Sequence, residues 1–280
     1  MIEEATDSAN FGTFAPDLAA RTIIKLSQLT PLGRGKLRRQ MVRRLQNEHD
    51  GPLDTILFGL HARLALHNNS SETKALLKPS LYSRIASKLF RECLPKNNAV
   101  IIDVGANAGI FSLLAASKIN AGHLIAIEPQ IGLFHRLSNH LGQLNPELGA
   151  TLRLSLFNCA VGAEKCVSTL NVPQQLGQAS LHNIPGAQAM NVDVRTLVEL
   201  VDSAEVDHID VLKIDIEGFE DRALIPFFEI APKNLWPRSI LIEHCHQARW
   251  KQNCETYLVD RGYVVVARGR TDAAMVRPKL

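Results

Sequence analysis

Asp215 and Glu217 are the first candidates for chemistry, because they follow directly after the predicted strand Ile209–Ile214 and stand two residues apart. Side chains with this spacing at a strand end can point toward the same pocket. Two close carboxylates disfavour double ionisation, which raises the pKa of one of them and suits a shared general base. The same oxygens can instead bind Mg²⁺, and we assign no metal site.

The end of the next predicted strand, Ser239–Glu243, carries histidines and a cysteine. His244 and His246 stand at alternate positions, so at most these two side chains share the pocket, and we include His246 among the catalytic candidates. With Cys245 and Cys254 the histidines resemble a metal cluster only loosely, since the usual ligand spacing is missing.

A glycine-containing turn follows an apolar run that begins at Val100. Gly105 and Gly109 allow the backbone to turn sharply and to approach a ligand closely, because neither has a Cβ. Glu128 lies about 20 residues further on, where a carboxylate can accept hydrogen bonds from both hydroxyls of a ribose. The pattern predicts a nucleotide-type ligand site at the carboxyl ends of parallel strands.

Two residues of this turn bear on the identity of the ligand. A nicotinamide enzyme typically has a middle glycine against the pyrophosphate, and Asn107 stands in its place. Asp103 would repel a pyrophosphate but attract the ammonium of an amino-acid ligand. S-adenosylmethionine, which has a ribose, a sulfonium and an amino-acid tail but no phosphate, is therefore favoured over NAD.

Alternating strands and helices must position these residues from Asn98 onward, which predicts a mostly parallel sheet with crossover helices. Besides those already named, the predicted strands are His123–Ile127, Leu152–Phe157, Lys165–Val172, Met190–Val194 and a terminal hairpin of Tyr263–Arg268 with Ala273–Val276. The ligand turn, Glu128 and the segment Asn158–Val161 then meet at one edge of the sheet. We therefore add Pro129, Asn158 and Ala160 to the cofactor-binding set.

Five motifs resemble those of the FkbM-type methyltransferases in order and spacing: Asp103-Val-Gly-Ala-Asn-Ala-Gly109, Ile127-Glu-Pro129, Asn158-Cys-Ala-Val-Gly162, Ala179-Ser-Leu181 and Leu212-Lys-Ile-Asp-Ile-Glu-Gly218. The resemblance implies an α/β class I methyltransferase fold, a Rossmann-like doubly wound sheet of seven strands whose last strand is antiparallel. It implies cofactor contacts from Asp103, Gly105, Asn107 and Glu128. It places Ser180 near the methyl donor and Asp215 and Glu217 at the reaction centre. Where many members read Glu-x-His after strand five, this chain has Cys245 in place of the His.

The first 95 residues differ from the rest, and we predict a mainly helical extension or lid at 1–95 and a catalytic domain at 96–280. No acidic residue occurs between Leu18 and Asn47, and that stretch holds eight cations: Arg21, Lys25, Arg34, Lys36, Arg38, Arg39, Arg43 and Arg44. Leu37, Met41 and Leu45 give the stretch one apolar helix face. Either the basic face contacts an anionic surface, or it is simply solvated.

Composition sets further expectations. The net charge of +3 is too small to indicate nucleic acid, so none is expected as a partner. The acidic, polar start does not resemble a secretory signal, and five scattered cysteines without a CxxC favour reduced thiols, so we expect a cytoplasmic protein. The oligomeric state is left open.

These observations predict an S-adenosylmethionine-dependent O-methyltransferase. Its acceptor would be a hydroxyl of a small molecule or glycan, in a sugar, a glycolipid or a secondary metabolite. Two alternatives remain at this point. One is a nicotinamide-dependent oxidoreductase, and the other is a non-catalytic scaffold recruited to an anionic surface by the basic segment.

Overall fold

The computed structural model describes residues 9–30, 35–48, 51–82, 84–144, 148, 151–173 and 178–278. Arg34 of the basic segment and part of the Gln174–Gln188 connection lie outside the described residues.

The described part of the N-terminal region contains five helices and one hairpin: α1 (Leu18–Leu29), α2 (Gly35–Glu48), β1 (Leu53–Leu57), β2 (Leu60–Leu64), α3 (Ser70–Leu77), α4 (Pro79–Tyr82) and α5 (Arg84–Cys93). The remainder alternates as predicted: β3 (Ala99–Val104), α6 (Ile110–Ala116), β4 (Gly122–Ile127), α7 (Ile131–Gly142), β5 (Leu152–Phe157), β6 (Ala160–Val161), β7 (Cys166–Val172), β8 (Gln188–Arg195), α8 (Leu197–Ala204), β9 (Val211–Ile214), α9 (Glu220–Ile230), β10 (Ser239–Glu243), α10 (Cys254–Val259), β11 (Val264–Arg268) and β12 (Asp272–Val276).

Seven strands form the central sheet in the order β5–β4–β3–β9–β10–β12–β11. The first five run parallel, and β12 is antiparallel to both of its neighbours because it returns through the terminal hairpin. The strand order reverses between β3 and β9, and the crevice at such a switch point is where open α/β sheets bind ligands. This arrangement confirms the predicted class I methyltransferase fold.

Both faces of the sheet are covered, which explains the near-continuous apolar composition of its central strands. All six residues of β3 are buried. One core lies between the sheet and helices that include α6 and α7, and the other lies between the sheet and helices that include α8, α9 and α10.

Strands β6, β7 and β8 form a separate small sheet rather than extending the large one. The two strands predicted in this region are present, and they pair antiparallel from Cys166↔Val194 to Val172↔Gln188. A bridge between Asn171 and Ser180 then ties the connection at Ser180 to this sheet.

The N-terminal region shares the first core, because buried residues such as Ala20, Leu53 and Leu89 pack in the same cluster as Ile101. Asn69 is the N-cap of helix α3, and its side chain accepts from the amide of Ser71.

The basic segment forms α1 and α2. Leu45 is buried and Met41 is partly buried, as the apolar pattern predicts, whereas Leu37 is exposed. None of the described helices has both the length and the hydropathy that a bilayer crossing requires.

Candidate active site

One large pocket opens at the carboxyl ends of the central strands, with a volume of about 830 Å³. Pockets of this size hold ligands of the class of nucleotides and drug-like molecules. Its walls come from four places: the glycine turn after β3, the ends of β4 and β9, the end of β10, and segments of the N-terminal region and the terminal hairpin. All catalytic candidates and six of the nine predicted cofactor residues line it.

Both the backbone conformation and the space around position 105 require a glycine there. Its φ is +71°, and an added Cβ would overlap the carbonyl oxygen of Asp215. The amides of Gly105 and Ala106 both donate to the carbonyl of Ile127, at 3.0 and 2.9 Å. The turn is therefore fixed by backbone bonds to the neighbouring strand, and it leaves room only for a residue without a side chain.

Glu128 is held by the backbone on the wall of the pocket. Its Oε2 accepts from the amide of Asn107 at 2.8 Å, and its Oε1 accepts from the amide of Gln130 at 2.9 Å. Burial raises the pKa of this carboxyl to about 7, and the two amide bonds oppose that rise. Two further lone pairs on these oxygens are free for ligand hydroxyls, which is the role predicted for Glu128.

Asp103 does not line the pocket, which corrects the predicted direct contact with the cofactor. Its side chain is fully buried, accepts from the hydroxyl of Ser112 at 2.7 Å and pairs with Nζ of Lys213 at 3.1 Å. The same Nζ donates to the carbonyl of Gly105 at 2.6 Å. Because the central strand is covered on both faces, Asp103 points into the core and acts by holding Lys213 beneath the turn.

Gly109 and Asn158 also stay outside the pocket lining. Gly109 has φ +82° and begins α6, where a Cβ would come within 2.7 Å of Cδ1 of Leu137 on α7. Asn158 is exposed, and its amide donates to the carbonyls of Glu128 and Pro129 at 2.8 and 3.1 Å. Both residues position the walls: one permits close helix packing, and the other joins two strand ends.

The remaining predicted cofactor residues, Asn107, Pro129, Ala160 and Ser180, do line the pocket. Asn107 has a φ of +55°, in the left-handed region. Its Oδ1 accepts from the amide of Ala108 and from the side chain of Asn69. Ser180 is buried, and its hydroxyl lies 3.4 Å from the carbonyl of Glu217. Ser180 therefore links the small sheet to the strand end that carries the acids.

Three carboxylates and one histidine meet in the pocket beside the glycine turn, because the backbone of Asp215 lies against Gly105. Nδ1 of His246 lies 3.2 Å from Oε2 of Glu217 and 3.5 Å from Oε2 of Glu243. Oδ2 of Asp215 lies 3.9 Å from Nζ of Lys213. The prediction that Asp215, Glu217 and His246 share one pocket is thus supported by their placement, while their catalytic roles stay predictions.

The electrostatics of this group follow from burial and like charge. Burial and the neighbouring Asp215 raise the pKa of Glu217 to about 8, and the same two causes raise the pKa of Glu243 further. Burial and the nearby Arg249 guanidinium lower the pKa of His246. At neutral pH the imidazole is therefore largely neutral and able to accept a proton.

Glu217 is also unusual in its backbone. Its φ is +57°, in the left-handed region that non-glycine residues rarely adopt, and it precedes Gly218 at +97°. Its carbonyl accepts from Nη1 of Arg249 at 3.1 Å. Strained residues that surrounding bonds hold in place cluster at functional sites.

Glu243 and Lys213 were not assigned to the site from the sequence. A lysine inside a predicted buried strand signals a buried anionic partner, but not which one. Glu243 ends its strand at the pocket, and the chain turns directly after it, so Cys245 and His246 line the pocket and His244 does not. The alternation expected for His244 and His246 fails because the extended backbone stops at Glu243.

Side chains of this group also lie close enough together to bind a metal ion. Ligand atoms of Asp215, Glu217 and Glu243 all lie within 4.8 Å of one another, and so do those of Glu243, Cys245 and His246. Carboxylate oxygens are the ligands that Mg²⁺ prefers. Without a cation, Asp215 and Glu217 would serve as the shared general base predicted from the sequence, and that role stays a prediction.

Comparisons with known proteins give the family. The model described as "Methyltransferase FkbM domain" matches residues 103–265. A protein of Beauveria bassiana named "Methyltransferase 1" is 26% identical over 176 residues, covering 50% of this chain and 69% of that protein. The AMB antimetabolite synthetase AmbE of Pseudomonas aeruginosa is 41% identical over 51 residues, covering 18% of this chain. The chain spans only 2% of the length of AmbE.

Solved structures of methyltransferases are also similar. The METTL16 MTase domain gives a TM-score of 0.47 at 16% sequence identity and covers 94% of this chain and 93% of that chain. A methyltransferase from Geobacter sulfurreducens gives a TM-score of 0.41 at 15% identity and covers 71% of this chain and 79% of that chain. The family model, which covers more than half of the sequence, shows that this chain belongs to the FkbM family of S-adenosylmethionine-dependent methyltransferases.

Proposed function

We propose that the chain methylates a hydroxyl of a small molecule or glycan, in a sugar, a glycolipid or a secondary metabolite. The observation that carries the proposal is that Asp215, Glu217, Glu243 and His246 meet in the same pocket as the glycine turn. A hydroxyl needs a base when it attacks carbon, and this group offers both a neutral imidazole and carboxylates.

The residues of the donor side fit S-adenosylmethionine. Gly105 and Asn107 line the pocket on the glycine turn, and Glu128 has free lone pairs for ribose hydroxyls. Ala160 is small and buried, and together with Val161 it supplies an apolar wall. When bound, the cofactor supplies an electrophilic methyl group attached to a sulfonium.

The residues of the acid side can orient and deprotonate the acceptor. His246 is within hydrogen-bond range of Glu217, and a carboxylate in that position fixes the imidazole and stabilises the imidazolium that forms when it takes a proton. The pKa of Glu217, raised to about 8, allows this carboxyl to hold the proton next. An acceptor oxygen held about 3 Å from the methyl carbon and in line with the leaving sulfur would complete the arrangement.

Family membership sets aside the nicotinamide oxidoreductase. The scaffold alternative rests on the basic segment, and its contact with an anionic surface stays a prediction. The exposed cations of α1 and α2 that support it are Arg21, Lys25, Lys36, Arg39, Arg43 and Arg44.

Two measurements test the proposal. Calorimetry with S-adenosylhomocysteine should give saturable one-site binding. Transfer of a labelled methyl group should then be followed over a panel of sugars, glycolipids and polyhydroxylated metabolites. Asp215→Asn should lower transfer and leave binding unchanged, whereas Glu229→Gln, an exposed carboxyl on α9, should change neither. Binding without transfer to any hydroxyl, together with transfer to amines or thiols, would contradict the proposal.

A further inference from the structure

The pocket lining carries both signs of charge. The acids Asp215, Glu217 and Glu243 are half-buried, and we call their part of the pocket the floor. Three cations from separate elements also line it, and we call their part the mouth: the half-buried Arg38 on α2, the exposed Lys74 on α3 and the exposed Arg270 in the turn between β11 and β12. A pocket lined by both signs of charge selects ligands that are themselves polarised.

The three cations have no anionic partner among the residues that the structure describes. Within the described part of the chain, no hydrogen bond or ion pair holds the side chain of Arg38, Lys74 or Arg270. Lys78, which also lines the pocket, differs from them, because its Nζ donates to the carbonyl of Gln28 at 2.6 Å. Lys213 is likewise occupied by Asp103.

Bound S-adenosylmethionine would neutralise only part of the positive charge of Arg38, Lys74 and Arg270. S-adenosylmethionine carries one carboxylate, and its sulfonium and ammonium are cations, which Arg38, Lys74 and Arg270 do not attract. One of the three side chains suffices for that carboxylate, which leaves two cations of the pocket lining without an anion from the donor. Two cations in one pocket, at least one of them an arginine, match an anion with more than one charge and several acceptor oxygens.

We infer that the acceptor carries a phosphate group in addition to the hydroxyl that is methylated. The inference rests on the proposed function and narrows its substrate class to phosphorylated small molecules. Arg38, Lys74 and Arg270 hold the phosphate at the mouth, and the hydroxyl extends to the acids and His246 on the floor. A neutral sugar lacks the group that these cations bind, and the acidic floor repels an anion there.

Matched variants separate a local site from a general effect of charge. The pocket variant combines Arg38→Ala, Lys74→Ala and Arg270→Ala. The control variant combines Lys25→Ala, Arg39→Ala and Arg43→Ala, which removes the same charge from exposed positions outside the pocket lining. The substituted residues lie outside the buried core, so both proteins should unfold at the same temperature as the parent.

The binding experiment uses protein saturated with S-adenosylhomocysteine, titrated calorimetrically with inorganic pyrophosphate, malonate or glucose. Pyrophosphate should bind, malonate more weakly, and glucose not measurably. The pocket variant should weaken pyrophosphate binding by about tenfold or more, since charge-assisted bonds are lost. The control variant should stay within about twofold of the parent.

A transfer experiment adds the second readout. Labelled methyl transfer should be faster to sugar phosphates than to the corresponding neutral sugars, and the pocket variant should lose that preference. Equal losses of binding in the two variants would overturn the inference, as would malonate binding tighter than pyrophosphate or transfer that prefers neutral sugars. Failure to bind S-adenosylhomocysteine at all would instead sink the proposed function, so the two failures are distinguishable.

Discussion

The two sides of the pocket are built by different physical means. On the donor side, Gly105, Asn107 and Glu128 are fixed by backbone bonds, and each oxygen of the Glu128 carboxyl accepts an amide. On the acid side, Glu217 and Glu243 lie close to each other and to a histidine, and their pKa values are raised. On the donor side, two amide bonds oppose the rise that burial causes in the pKa of Glu128, whereas on the acid side Asp215 adds like charge to the effect of burial.

The difference separates binding from chemistry. A site fixed by the backbone is already organised before its ligand arrives, which reduces the cost of binding. A cluster with displaced pKa values is suited to moving protons near neutral pH. Gly105 joins the two sides, because the space above it is bounded by the backbone of Asp215.

Loss of the carboxylate at Glu217 should have the largest effect. Glu217→Gln keeps the shape but removes both the proton acceptor and the charge beside His246, so turnover should fall about 10²–10⁴-fold. Affinity for S-adenosylhomocysteine should stay within about twofold, because the donor side is untouched. Transfer of labelled methyl and calorimetry measure the two quantities. A loss of affinity as large as the loss of turnover would show that the two sides are not separate.

A side chain at position 105 should disturb the contact with the backbone of Asp215, where the donor side and the acid side of the pocket meet. Gly105→Ala forces a Cβ against the carbonyl of Asp215 at a φ of +71°. We expect the free energy of unfolding to fall by about 1–3 kcal/mol and donor affinity to fall about 10–100-fold. Denaturant unfolding and calorimetry report these changes. Gly142→Ala is the control, since no described atom outside its own stretch of helix lies within 4 Å of the added Cβ, and it should bind the donor as the parent does.

Truncation at Glu128 should affect binding more than chemistry. Glu128→Ala leaves the amides of Asn107 and Gln130 without their acceptor and removes the predicted ribose contact. Donor affinity should fall about tenfold or more. Turnover at saturating donor should change less than it does in Asp215→Asn. The reverse order of effects, measured on the same acceptor, would mean that our division of labour is wrong.

The pH profile of the reaction should report Glu217. The pKa of this carboxyl is about 8, so its basic form is populated above that pH. The value of kcat/KM should therefore rise up to about tenfold per pH unit below pH 8 and level off above it. His246 has a lowered pKa and stays neutral over this range. In Glu217→Gln the rise of kcat/KM toward pH 8 should be missing. If the rise stays at the same pH in this variant, it reports another group.

The smallest effect is expected in stability. Burial and Asp215 raise the pKa of folded Glu217 from its ordinary value of 4.5 to about 8, so the folded protein holds a proton that the unfolded chain releases between these values. The free energy of unfolding therefore falls as pH rises from 4.5 to about 8. Glu217→Gln removes this penalty, and its Tm should exceed that of the parent by about 2 °C or more at pH 9 but not at pH 4. Thermal unfolding of both proteins measures this, and a Tm difference that is the same at pH 4 and pH 9 would contradict the prediction.

The sequence predicts the sheet, the glycine turn and the acid pair, because these depend on local rules. Apolar runs mark buried strands, and the spacing from Gly105 to Glu128 follows from one strand–helix–strand unit. The orientation of single side chains is harder to predict. Asp103 has the right position along the chain, but only the three-dimensional packing shows that Lys213 and Ser112 bind it inside the core.

The same limit explains what was missed on the acid side. Glu243 is about 26 residues from Glu217 in the sequence, and only the parallel pairing of β9 with β10 brings the two together. The pKa values of the group depend on this proximity and on burial, neither of which a motif encodes. Arg38, Lys74 and Arg270 lie on three distant segments of the sequence, so their meeting in one pocket also depends on the fold.

The central claim is that the donor binds along the backbone-built side with its reactive end toward the acids. A crystal structure of the protein with S-adenosylhomocysteine tests this most directly. The account predicts ribose hydroxyls within hydrogen-bond distance of the Glu128 carboxyl and the sulfur facing the group of Asp215, Glu217 and His246. A ligand with its sulfur turned away from these residues, or one bound outside this pocket, would contradict it.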